Sequence, residues 1–171
     1  MTAIQVKCIV TVDNVHWVEG LGCYLGSFKY QQILPLDKIY IAANGTINLK
    51  KIGVTSPVDV TYFWATQAIE IEGELYPATL ADPVNDSFLV VPGNAKPGFA
   101  NKAPVNGADI TVMPGGASEL VMKDANSPAK LYTYNLAIRI GIDGGKWLID
   151  DPRIINTGVT RLYSYEEQTS A

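Results

Sequence analysis

The sequence predicts an all-β protein, a two-layer antiparallel β-sandwich of about eight to ten strands with little or no helix. Three observations lead there. Apolar residues recur with a period of two, turn-forming residues separate the patterned runs, and no window holds three turns of helical periodicity. At 171 residues the chain has the size of a single domain, residues 1–171, long enough to bury a core without disulfides or a metal. Without helical crossovers to link parallel neighbours, antiparallel pairing is expected.

Three strands are the clearest. Ile4, Val6, Cys8, Val10 and Val12 share one face, opposite Gln5, Lys7 and Thr11, in a strand that ends at Asp13-Asn14. Val58, Val60, Tyr62 and Trp64 alternate with Asp59, Thr61, Phe63 and Ala65. Tyr132, Tyr134, Leu136, Ile138 and Ile140 alternate with Thr133, Asn135, Ala137 and Arg139. Shorter patterned runs lie at 38–42, 46–50, 69–76, 87–91, 109–113, 119–123 and 146–149. Asn44-Gly45, Pro92-Gly93-Asn94, Pro97-Gly98, Pro114-Gly115-Gly116 and Asp143-Gly144-Gly145 supply the chain reversals between them, the last as a hairpin. Val15 to Gln31 is ambiguous, because Gly20, Gly22 and Gly26 weaken any helix there. Val91 to Gly107 reads as a surface loop or a crossing between strands, and Glu166 to Ala171 as a frayed end.

Composition narrows the function classes. Thirteen Lys and Arg against seventeen Asp and Glu leave a net charge of −4, so the basic surplus that neutralises nucleic-acid phosphates is lacking. No apolar run approaches the roughly 20 residues of a membrane-spanning helix. The first residues alternate from the start instead of forming a secretory signal, which points to a cytoplasmic protein. Cys8 falls on the apolar strand face as a small buried hydrophobe, whereas Cys23, between Gly22 and Tyr24, is expected to be more accessible.

Candidate chemistry is thin. His16 is the single histidine, which removes multi-histidine metal sites and leaves any hydrolytic triad dependent on one residue without a nucleophile motif nearby. Asp150-Asp151 and Glu166-Glu167 are adjacent pairs, and neighbours on a strand point to opposite faces. Asp143 belongs to a turn, since the calcium-loop pattern is missing around it, and no phosphate-binding glycine motif occurs. No catalytic residue, metal or cofactor is therefore assigned. Tyr62, Trp64 and Tyr134 sit on patterned strands and are expected to fill the core. Trp17, Tyr24 and Tyr30 remain as binding candidates, because an aromatic plane buries the apolar face of a sugar ring.

Three segments carry a family likeness: Ile4 to Asp13; Asn44 to Leu49 leading on to Val58 to Trp64; and Tyr132 to Ile138 followed by Asp151-Pro152-Arg153-Ile154-Ile155-Asn156-Thr157-Gly158. Together they resemble the PixA/AidA family of bacterial inclusion-body proteins. Leu21 to Tyr30 departs from that family, with a Cys/Gly/Tyr segment where a polar insertion stands. The resemblance implies a small bacterial cytoplasmic protein, abundant at high cell density, stored in inclusions and linked to host association, with no catalytic residues to carry over. The resulting expectation is a non-enzymatic, self-associating homo-oligomer that takes a carbohydrate or host ligand. The alternative is a lectin-like carbohydrate-binding module using Trp17, Tyr24 or Tyr30, and a third reading is an enzyme of unrecognised type dependent on His16.

Overall fold

The structure, a computed structural model, describes residues 1–81, 84–93, 109–128, 130–150 and 153–155. The expected loop beyond Gly93, the Asp151-Pro152 and Asn156 to Gly158 parts of the C-terminal segment, and Glu166-Glu167 lie outside those residues. The described residues form twelve strands: β1 Ile4–Val18, β2 Cys23–Leu34, β3 Ile47–Asn48, β4 Val58–Trp64, β5 Ala68–Ile71, β6 Glu74–Leu80, β7 Phe88–Pro92, β8 Ile110–Pro114, β9 Glu119–Asp124, β10 Leu131–Ile140, β11 Lys146–Ile149 and β12 Arg153–Ile155. Among the described residues helix is confined to two short 3-10 turns, Glu19–Leu21 and Val84–Ser87. The all-β expectation holds.

Strand order runs β3-β12-β10-β11-β2-β1-β4-β9-β8, with β6 and β7 also paired to β10, and β5 to β6. β10 joins the two layers. Its first half, Leu131 to Leu136, pairs with β12 and β7, while Ala137 to Ile140 pairs with β11 and β6. Tyr62 on β4 packs across the gap against Phe88 on β7 and Tyr134 on β10, strands to which β4 is not hydrogen-bonded.

Among the described residues eight strand pairings are antiparallel, as expected, but three are parallel: β1 with β4, β11 with β2, and β12 with β3. The sheet is therefore mixed. Each parallel pair joins strands far apart in sequence, and the intervening strands themselves make the crossover that a helix usually supplies.

The period-two pattern locates the core. Val6, Cys8, Val10, Val58, Val60, Tyr62 and Trp64 are all buried, and their alternating neighbours are more open. β10 departs from the pattern, because Thr133, Asn135 and Ala137, read as the outward set, are buried too. A strand at the junction of two layers has neighbours over both faces, and it then reads as a continuous buried run.

β1 does not end at Asp13-Asn14. A bulge between Asp13 and His16 places Asn14 at φ 52, and the strand continues to Val18. The ambiguous Val15 to Gln31 segment becomes the end of β1, a 3-10 turn and most of β2. Gly26 faces the bulge; a Cβ there would stand 2.6 Å from Val12 Cγ2 and 3.1 Å from Asp13 O, so the glycine serves close strand approach and not disorder. The expected 38–42 strand reduces to one bridge, Ile41 to Ile47, and the 69–76 run splits into the β5–β6 hairpin at Glu72-Gly73.

Candidate functional site

Three surface features stand out beside the core, together with a part-buried carboxylate cluster and a buried aromatic one. The β1–β2 ribbon is the scaffold for two of the surfaces. Its pairing sets Lys7 opposite Leu34 near one end and Trp17 opposite Tyr24 near the other, positions separated by roughly 33 Å at a strand rise of 3.3 Å per residue.

At the Trp17 end, the indole is 38 % exposed and its centroid lies 5.0 Å from that of Tyr24 in an edge-on contact. Trp17 Nε1 donates to Glu19 Oε2 at 2.6 Å, and Lys146 Nζ stands 5.6 Å over the ring. Tyr24 is buried and backs this indole. Tyr30, the third binding candidate, is not part of this surface. It is only 4 % exposed, with its hydroxyl donating to Asp150 Oδ2 at 2.8 Å, because its position on β2 turns inward with Phe28. Burial and the Asp150 charge both push the Tyr30 phenol far above its ordinary pKa. Cys23, expected to be accessible, is buried, since β2 begins there and β11 lies alongside it.

At the opposite end, β2 runs into a loop through Pro35 that presents Leu34, Leu36 and Ile39 at 45, 83 and 64 % exposure. One side chain organises this loop. Gln32 Nε2 donates to Pro35 O at 2.6 Å and Lys38 O at 2.7 Å, while its Oε1 accepts from Tyr40 N at 2.7 Å and Ile41 N at 3.2 Å. Nothing in the sequence marks Gln32 as a hub, because its four partners are backbone groups. The sequence reading covers only the 38–42 end of this stretch, as a short strand, and does not single out Leu34, Leu36 and Ile39 as a surface.

The third feature is an open groove of about 400 Å³ lined by Pro77, Thr79, Arg139, Gly141, Gly144 and Gly145. Arg139 Cζ lies over Trp147, 4.6 Å from the ring centroid, and a Cβ on Gly145 would overlap its guanidinium. Glu72, Glu74 and Asp143 act on neighbouring Tyr76, raising its pKa chiefly through the hydrogen bond to Glu74. With those carboxylates near it, the groove offers no concentrated positive field to an anion.

The two clusters are structural in geometry. Asp109 accepts hydrogen bonds from Ser127 and, at 2.8 Å, from Tyr132, and these lower its pKa. Tyr62, Tyr134 and Phe88 form a buried aromatic set, with Phe88 and Tyr134 stacked at 4.8 Å. His16 is exposed, and its Nδ1 lies 3.0 Å from Asn14 O. Among the described residues no group of three or more His, Cys, Asp or Glu is placed to hold a metal ion, and no helix is long and apolar enough to cross a membrane.

No protein-family model matches the chain, and no curated protein matches it. Among solved structures, the chain is similar to the crystal structure of an inclusion body protein (PixA) from Burkholderia cenocepacia, with a TM-score of 0.40 and 10 % identity over 90 % of this chain and 97 % of that one.

Proposed function

We propose that this chain is a non-enzymatic β-sandwich protein that associates with copies of itself. The observation that carries the reading is the exposed apolar loop at the Leu34 end of the ribbon, held in one shape by Gln32. Covering such side chains stabilises by roughly 25 cal/mol per Å² removed from water. Opposing repulsion is small for a chain with 18 % charged residues and a net charge of −4. His16 supports the non-enzymatic part, since neither a carboxylate nor a nucleophile bonds its ring among the described residues. Accumulation in cytoplasmic inclusions belongs to the same reading. Sedimentation velocity over a wide concentration range tests the association: a concentration-dependent shift to larger species is expected, and a strict monomer at the highest concentration overturns it.

A lectin-like reading is favoured by one specific observation, the partly exposed Trp17 backed by Tyr24. Tyr30 takes no part in it, being interior. A glycan array with the Trp17→Ala variant alongside decides: sugar binding lost in the variant supports this module, and no binding by the folded parent removes it.

A further inference from the structure

We propose that the Leu36-Asp37-Lys38-Ile39 loop is the contact through which two copies of this chain pair about a two-fold axis. The inference rests on the self-association reading and names its surface.

The order of residues is self-complementary. In a two-fold contact the same patch meets itself in reverse, so that residue i faces j and j faces i. With the axis between positions 37 and 38, Leu36 of one copy meets Ile39 of the other, and Asp37 meets Lys38. Apolar is matched with apolar and acid with base at all four positions. All four side chains are exposed, and Asp37 and Lys38 form no ion pair within the chain among the described residues. Both charges are therefore available to a second copy.

Gln32 gives the loop a fixed shape before any contact forms. Its amide bonds to Pro35 O, Lys38 O, Tyr40 N and Ile41 N bracket the four-residue patch on both sides. A loop already ordered in the free protein loses less conformational freedom on association, which is the usual reason a small rigid patch can bind where a flexible one does not. The exposed Leu75 on the β5–β6 hairpin has no such bracket and no complementary charge pair, which makes it the natural control.

The test uses the full chain and five variants in sedimentation equilibrium: Leu36→Asp, Ile39→Asp, Asp37→Lys, the exchange Asp37→Lys with Lys38→Asp, and Leu75→Asp. All positions are exposed, and circular dichroism verifies that each variant is folded. Loss of a central apolar anchor is expected to weaken dimerisation at least about thirtyfold. Asp37→Lys sets like charges against each other and weakens it as well, whereas the exchange restores parental association because each copy then carries both reversed charges. Leu75→Asp leaves it unchanged. If the parent associates and Leu36→Asp associates equally well, this surface is wrong while self-association stands. If the exchange fails to rescue Asp37→Lys, the two-fold register is wrong. A monomeric parent removes the inference together with the reading beneath it.

Discussion

The Tyr62 hydroxyl donates to the Tyr134 hydroxyl at 3.1 Å, and Tyr134 passes its own proton on to Gly45 O at 2.8 Å, so a phenol from each layer and one loop carbonyl form a chain through the buried core. The two links are unequal. Removing the middle hydroxyl in Tyr134→Phe leaves both Tyr62 and Gly45 O short of a partner. Tyr62→Phe leaves Tyr134 its acceptor. Denaturant unfolding is expected to show Tyr134→Phe costing about 1–3 kcal/mol and Tyr62→Phe about 1 kcal/mol. Equal losses would mean that water or another group replaces the missing hydroxyl.

The same phenols set an alkaline limit. Burial raises the pKa of Tyr30, Tyr62 and Tyr134 above the ordinary 10.0, with the Asp150 charge adding to Tyr30 and the hydrogen bond to Tyr134 opposing the rise at Tyr62. A group whose folded pKa lies above its unfolded value contributes stability that is intact below pH 10 and is lost as pH climbs towards the folded value. Each such phenol removes up to about 1.4 kcal/mol per pH unit in that window. Phenolate absorbance and circular dichroism followed together should show these tyrosines ionising only as the fold is lost. Ionisation of all nine tyrosines near pH 10 with the fold intact would contradict the burial.

Much of the fold is legible in the sequence, because alternation is a direct imprint of a two-faced strand. Val58, Val60, Tyr62 and Trp64 form one alternating row in the sequence, and all four are buried. Legibility fails where the constraint is not periodic. β2 was hidden because Gly22 and Gly26 lower local propensity, yet Gly26 is required by the close approach of Val12, a partner fourteen residues away. The parallel pairs are set by which distant strand fills a vacant edge, and alternation says nothing about that. Of the binding candidates, Trp17 lies at a surface and Tyr30 does not. The difference comes from the β1 bulge and the inward phase of β2, not from the aromatic residues themselves.

Gln32 supplies a prediction about the loop. Gln32→Glu keeps an oxygen for Tyr40 N and Ile41 N but removes the donor and turns a carboxylate towards Pro35 O and Lys38 O. Two acceptors then lack their hydrogen bonds and face added negative charge. A loss of about 1–2 kcal/mol is expected, smaller than for a fully buried group because Gln32 is partly solvated. Hydrogen exchange should localise the effect: amides of Tyr40 and Ile41 lose protection while those of β4 and β9 keep theirs. Uniform loss across the sheet would show that the hub supports the whole fold and not the loop.

Asp109 gives the acid counterpart. Hydrogen bonds from Ser127 and Tyr132, aided by Lys130 and opposed by slight burial, hold its pKa below the ordinary 3.8. They tie the start of β8 to the approach to β10 and to β10 itself. A carboxyl with a lowered folded pKa contributes stability above its unfolded value and loses it as pH falls through the folded one. Asp109→Asn keeps the shape but removes the charge, and the partly exposed position limits the cost to about 1 kcal/mol at neutral pH. The gap between parent and variant should therefore be constant above about pH 5 and close below pH 3.8, where the parent carboxyl takes up its proton. Unfolding curves collected across that range decide the matter, for a gap that persists unchanged in acid would assign the loss to altered packing instead of to the charge that Ser127 and Tyr132 stabilise.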